Sequence, residues 1–157
     1  MTMDPHEGFS SQRRTAIAVV KAFNEMNVET IVSYRSPECS RIFLPTSMGL
    51  RPQDNATYFS SLQKLRAISH NFSLTINDLL EDKEKRRICM QLSARADTVA
   101  GEYVNEYIWL YDFDDNGKIV VAKEFLDSVM EREFYPKLKA AMMKQQAEQA
   151  DGTARSQ

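Results

Sequence analysis

The chain has 157 residues, 43% of them hydrophobic and 10% aromatic, with a net charge of −2. That length suits one domain that can bury a core without staples, and the lack of a basic stripe argues against nucleic acid as a partner. Two cysteines, Cys39 and Cys89, with no CxxC spacing, fit a reducing compartment rather than a disulfide framework. The opening stretch MTMDPHEGFSSQRR holds no apolar h-region and no apolar run approaches a span, so a cytoplasmic protein with no membrane partner is expected.

In chain order, residues 1–10 are polar, hold Pro5 and Gly8, and read as a flexible arm. A single domain is expected over 11–143. A helix is predicted from Ser11 to Met26, with Ile17, Val19, Val20 and Phe23 on one side. Asn27 is placed to cap a second, short helix with Glu29 in its first turn. Ser40 to Leu44 reads as a short strand stopped by Pro45. After a loop holding Gly49, Arg51 and Pro52, a third helix starts near Asp54 or Asn55, with Tyr58, Leu62 and Leu65 along its stripe.

From Ser69 the period becomes two. Phe72, Leu74 and Ile76 alternate with polar residues, as do Ile88, Met90, Leu92, Ala94 and Ala96 beyond the charged turn at 81–85. His70 shares the parity of Phe72 and Leu74, so it is expected on their face. Residues 101–127, GEYVNEYIWLYDFDDNGKIVVAKEFLD, form a hairpin around Asp114-Asp115-Asn116-Gly117, where Asn and Gly tolerate the positive φ of a tight reversal. Alternation lines up Tyr103, Asn105, Tyr107, Trp109 and Tyr111 on one strand, and Ala122, Glu124 and Leu126 on the next. A last helix is predicted from Ser128 to about Met143, followed by a disordered tail over 144–157.

Helices grouped before consecutive strands predict an α+β fold. Three N-terminal helices would pack on a curved, mostly antiparallel sheet to give a cone-shaped fold with a cavity open at one end, plus a C-terminal helix. Turned inward, the aromatic strand and Glu124 place a carboxyl among rings, which suits a small-molecule substrate and acid–base chemistry. Glu124 is the first catalytic candidate, since loss of water raises a carboxyl pKa toward a useful range; a structural carboxylate paired with Tyr or Arg is the alternative. His70 offers a proton near neutral pH, and Arg51 a clamp for an oxyanion. Tyr103, Asn105, Tyr107, Trp109 and Tyr58 are candidate substrate contacts, or else core. Asp127 points away from Glu124 by strict alternation, and is placed either to reach ligand or to cap the last helix with Ser128. No cofactor is expected. No His/Cys spacing supports a metal, and Asp112-x-Asp114-x-Asn116-Gly117 fails as a calcium loop because its twelfth position is Lys123.

The order helix, helix, strand, helix and four long strands resembles the nuclear transport factor two-like superfamily over about residues 12–142. The stretch Gly101-x-Tyr103-x-Asn105-Glu106-Tyr107-x-Trp109, with Phe113-x-x-x-Gly117-Lys118-Ile119 and Glu124-Phe125-x-Asp127-Ser128, resembles the SnoaL-like polyketide cyclases and isomerases, fungal ones in particular. The resemblance implies a cofactor-independent isomerase or cyclase of polyketide or meroterpenoid biosynthesis, and a homodimer through the convex sheet face, where Cys89, Gln91, Ser93 and Arg95 would lie. It matches Glu124 and Asp127 to acidic positions near the family's last strand. Its steroid-isomerase branch carries an Asp base where this chain has Leu44, and a second acid where it has Trp109, so that machinery is not implied. Dehydration and non-catalytic ligand binding or protein interaction on the same fold are the rival functions.

Overall fold

The computed structural model describes residues 4–156; the first three residues of the expected arm and the last residue of the expected tail lie outside the described residues. Three helices lie in the N-terminal half, α1 (Ser11–Asn24), α2 (Val28–Ser33) and, after the first strand, α3 (Asn55–Ile68). Each starts on a side chain that satisfies a free backbone donor. Ser10 accepts from the Arg13 N–H, Asn27 from that of Thr30, and Asp54 from that of Thr57. Val19, Val20 and Phe23 of α1 are buried as expected, joined by Ala16, whereas Ile17 is only half-buried.

The strands are β1 (Arg35–Leu44), β2 (Ser69–Asp82), β3 (Arg87–Thr98), β4 (Gly101–Phe113) and β5 (Ile119–Leu126). They form one sheet in the order β1-β5-β4-β3-β2, with β1 parallel to β5 and the other pairs antiparallel. The hairpin turn forms where Asp114 Oδ1 accepts from the backbone N–H groups of Asn116 and Lys118, and Gly117 takes a φ of +76°. Strand β1 is longer than SRIFL suggested, because it begins at Arg35. Asn24 ties the helical layer to the sheet by donating to the Leu74 carbonyl and accepting from its N–H, at 3.0 and 2.7 Å.

Strands β3 and β4 behave as read. Ile88, Met90, Leu92 and Ala94 of β3, with Trp109, Tyr111 and Phe113 of β4, are buried against α1 to α3. The last helix, α4 (Ser128–Ala154), runs well past the expected stop near Met143, and its distal half is largely exposed. Glu131, Phe134 and Leu138 turn toward the sheet at i, i+3 and i+7 spacing, and Tyr135, largely exposed, borders the same cavity at its rim. Among the described residues no helix is long and apolar enough to cross a membrane.

Candidate active site

Parallel pairing of β1 with β5 and antiparallel pairing of β4 with β5 set three strands side by side around Glu124. Its register partners are Phe43 on one side and Trp109 on the other. Alternation then turns Arg41 and Phe43 to the same concave face as Glu124. Glu124 is 1% exposed, and a carboxylate so withdrawn needs a partner. Arg41 supplies it as a two-pronged fork, Nε to Oε1 at 2.9 Å and Nη2 to Oε2 at 2.6 Å.

The guanidinium is itself held from behind. Its Nη1 donates to Gln53 Oε1 at 3.0 Å, Gln53 Nε2 donates to Ser61, and the backbones of Arg41 and Gln53 pair in both directions. The rings of Phe43 and Tyr58 flank it, with centroids 4.5 and 4.6 Å from its central carbon. Burial works against the charged guanidinium, but Glu124 together with Tyr58 and Tyr111 more than offsets it, so Arg41 stays charged.

A second carboxyl faces the same cavity from α4. Asp127 caps that helix, its Oδ1 accepting from the Val129 and Met130 N–H groups, and this sets Glu131 against β4. Glu131 Oε1 accepts from the Tyr103 hydroxyl and from Asn105 Nδ2, both at 3.0 Å. Asn105 Nδ2 also donates to the Tyr103 hydroxyl at 2.6 Å, and the Tyr103 and Tyr107 hydroxyls lie 2.7 Å apart. Burial holds the Glu131 carboxyl above the usual carboxylate range, against the pull of these hydrogen bonds and of Arg41. Burial likewise raises the phenols of Tyr103 and Tyr107, so both remain protonated.

Between these groups lies a cavity of about 380 Å³, within the range of small-molecule sites. Phe23, Phe43, Leu62, Phe72, Trp109 and Phe134 give it apolar walls, and Arg41, Glu124, Glu131, Tyr103 and Tyr107 give it polar points. The Trp109 indole N–H is buried without a hydrogen-bond partner among the described residues. A larger outer hollow, about 850 Å³, lies between α3 and the distal half of α4 and holds neither carboxyl nor Arg41.

The structure therefore brings Glu124, Tyr103, Tyr107 and Trp109 to one cavity, with Asn105 buried beneath them, as alternation predicted. It does not bring His70 or Arg51 there. Asn71 takes a φ of +52° and the register slips between His70 and Ser73, so the parity that joined His70 to Phe72 is broken. His70 is exposed and borders the outer hollow. Arg51 is exposed in the loop before α3 and does not line the cavity. Tyr58 sits behind the cavity wall, its ring stacked on both Arg35 and Arg41, and Asp127 serves the helix cap.

Arg41 and Glu131 are two polar cavity residues that sequence reasoning missed. The strand SRIFL already put Arg41 on the face of Phe43. Glu131 was the one polar member of the stripe with Phe134, Tyr135 and Leu138, and that stripe was the signal that would have found it.

The chain matches no protein-family model. It is 31% identical over 106 residues to a protein of Aspergillus aculeatus named monooxygenase AacuP, covering 67% of this chain and 73% of that one. It is 26% identical over 129 residues to core atranone cluster protein 11 of Stachybotrys chlorohalonatus, covering 82% and 97%. Among solved structures it is similar to the BvnE pinacolase of Penicillium brevicompactum, with a TM-score of 0.78 and 26% identity over 84% of this chain and 96% of that one.

Proposed function

Because the chain belongs to the SnoaL-like fungal biosynthetic proteins of the nuclear transport factor two-like superfamily, we propose that it is a cofactor-independent isomerase or cyclase acting by acid–base chemistry on an apolar, oxygenated polyketide or meroterpenoid intermediate. One observation carries this reading: two carboxyls face a single apolar-walled cavity, Glu124 against a guanidinium and Glu131 against neutral donors only. Carboxyls in unlike surroundings divide into a base and an acid. In this reading Glu124 takes the proton that leaves carbon, and Arg41 steadies the negative charge that develops on the adjacent oxygen. Glu131 and the hydroxyls beside it return a proton. The guanidinium sought at Arg51 is thus supplied by Arg41. The unpaired indole N–H of Trp109 is a donor for a substrate oxygen.

Ring expansion, ring closure and double-bond migration each exchange one proton for another and leave the mass unchanged. A dehydratase releases water, a carrier returns its ligand intact, and the oxygenation suggested by the names of several relatives adds an oxygen atom. Incubating the protein with a panel of polycyclic polyketide and meroterpenoid intermediates and weighing the products separates these. A product of unchanged mass is expected, with turnover falling roughly 100-fold or more in Glu124→Gln. His70→Ala and Arg51→Ala should stay close to wild type. Full activity of a folded Glu124→Gln variant removes the mechanism.

A homodimer through the outer sheet face is proposed on a separate observation. Val104, Ile108 and Phe125 are exposed there, and Ile108 and Phe125 are register partners. Sedimentation should find a dimer that Ile108→Asp converts to monomer; a monomeric wild type at all concentrations rules it out.

A further inference from the structure

The hydrogen bonds around Glu131 leave one freedom, and it decides what the cavity offers a ligand. Asn105 Oδ1 accepts from the Glu106 backbone N–H at 2.8 Å. Its Nδ2 must therefore face Tyr103 and Glu131, to both of which it donates. Each phenol carries one proton. When Glu131 is a carboxylate it can only accept, so Tyr103 donates to it and Tyr107 donates to Tyr103. Tyr107 then shows the cavity only lone pairs. When Glu131 carries a proton, its O–H donates to Tyr103, Tyr103 donates to Tyr107, and Tyr107 turns its own O–H to the cavity.

We propose that Glu131, Tyr103 and Tyr107 form a proton relay in which the state of Glu131 decides whether Tyr107 meets a ligand oxygen as donor or as acceptor. Run to completion, the relay moves one proton. The Glu131 O–H bond breaks, Tyr103 takes that proton and passes its own to Tyr107, and the Tyr107 proton bonds to the ligand oxygen. Glu131 is left as carboxylate, both phenols stay neutral, and no electrons are exchanged. Tyr107 is the catalytic residue of this step and Asn105 a positioning residue.

The groups facing Glu131 come from several elements. They are Tyr103, Asn105 and Tyr107 of β4, Arg41 of β1 and Glu124 of β5, with Lys64 of α3 and Tyr135 of α4 on the same cavity wall. Because burial raises both phenols, they hand on a proton without ionising. The inference rests on the acid–base reading of the cavity, but it makes a claim about the free protein that needs no turnover.

The test is a pH titration of protein labelled with carbon-13 at the tyrosine Cζ and glutamate Cδ positions, followed by NMR and assigned by single substitutions. The Tyr103 and Tyr107 resonances should move with one midpoint, that of the Glu131 carboxyl. In Tyr103→Phe, Glu131 should still titrate while Tyr107 loses its response. In Glu131→Gln the amide oxygen must sit where Asn105 donates, which holds the chain in its acceptor form, so both tyrosines should lose the shift. Flat tyrosine resonances in wild type, or a Tyr107 that still follows Glu131 in Tyr103→Phe, overturn the relay. Should Tyr103→Phe fail to fold, Glu131→Gln decides, and a midpoint that persists there overturns it. A moving relay with no compound converted leaves the relay standing and removes the isomerase reading; the reverse result does the opposite.

Discussion

Glu124 and Glu131 line one cavity and are both withdrawn from water, yet they are built in opposite ways. Glu124 stands mid-strand, fixed by pairing to β1 and β4, and faces a full guanidinium charge. Glu131 rides the first turn of a helix and meets only an amide and a phenol at hydrogen-bond distance. A charge partner compensates a buried carboxylate by Coulomb attraction, whereas neutral donors compensate only part of its lost hydration. The difference teaches that burial alone does not assign a carboxyl its role; the partner does. It also separates the two in rigidity, since a sheet register shifts only in whole residues while a helix end can fray.

The largest effect should come from removing the partner that makes them differ. Arg41→Met leaves Glu124 buried without a counter-charge, and breaking a buried pair from one side costs about 3–5 kcal/mol. Urea denaturation should show a loss of that order. The double variant Arg41→Met, Glu124→Met should recover most of it, because no lone charge then remains. A single variant as stable as wild type would mean that water already compensates Glu124, and the contrast with Glu131 would vanish.

The two halves of the site were not equally legible in the sequence. Strand parity is a period of two with no drift, so reading Tyr103 to Tyr111 and Ala122 to Leu126 was enough to turn Glu124 to the face of the aromatic strand; its pairing with Trp109 comes from the register of the hairpin. It failed at His70 for a local reason: Asn71 takes a left-handed φ, the register slips, and every parity argument that crosses the slip inverts. Arg41 lay on a short run, SRIFL, whose pairing with β5 is parallel and made across 83 residues; nothing near Arg41 in the chain announces that contact. Glu131 was hidden because acids are ordinary in a first helical turn, where the macrodipole welcomes them. The expected end of the last helix near Met143 followed composition, while the helix itself continues to Ala154.

A smaller effect should sharpen the comparison from the helix side. Asp127 accepts two backbone N–H groups at the start of α4, and Asp127→Ala should lower stability by about 1 kcal/mol. Because that cap aims the first turn, the loss should reach Glu131 and spare Glu124. Hydrogen exchange should quicken over residues 128–134 and stay unchanged through β5. Equal loosening of both segments would show that the two carboxyls are held by one cooperative unit rather than two.

The smallest effect is a slope rather than an offset. Burial raises the Glu131 carboxyl in the folded state, while in the unfolded chain it titrates near its ordinary value, about 4.3. Below that value both states hold the proton and the group costs folding nothing. As pH rises, the unfolded chain releases its proton first, so the folded state binds more protons and stability falls with pH. The fall stops once the folded carboxyl ionises as well. Glu131→Gln has no proton to lose, so its stability relative to wild type should climb through that window and then level off, as read from urea midpoints at stepped pH. A difference curve for Glu131→Gln that is flat, or that runs the other way, would mean the donors Tyr103 and Asn105 outweigh burial, and the two carboxyls would then be alike after all.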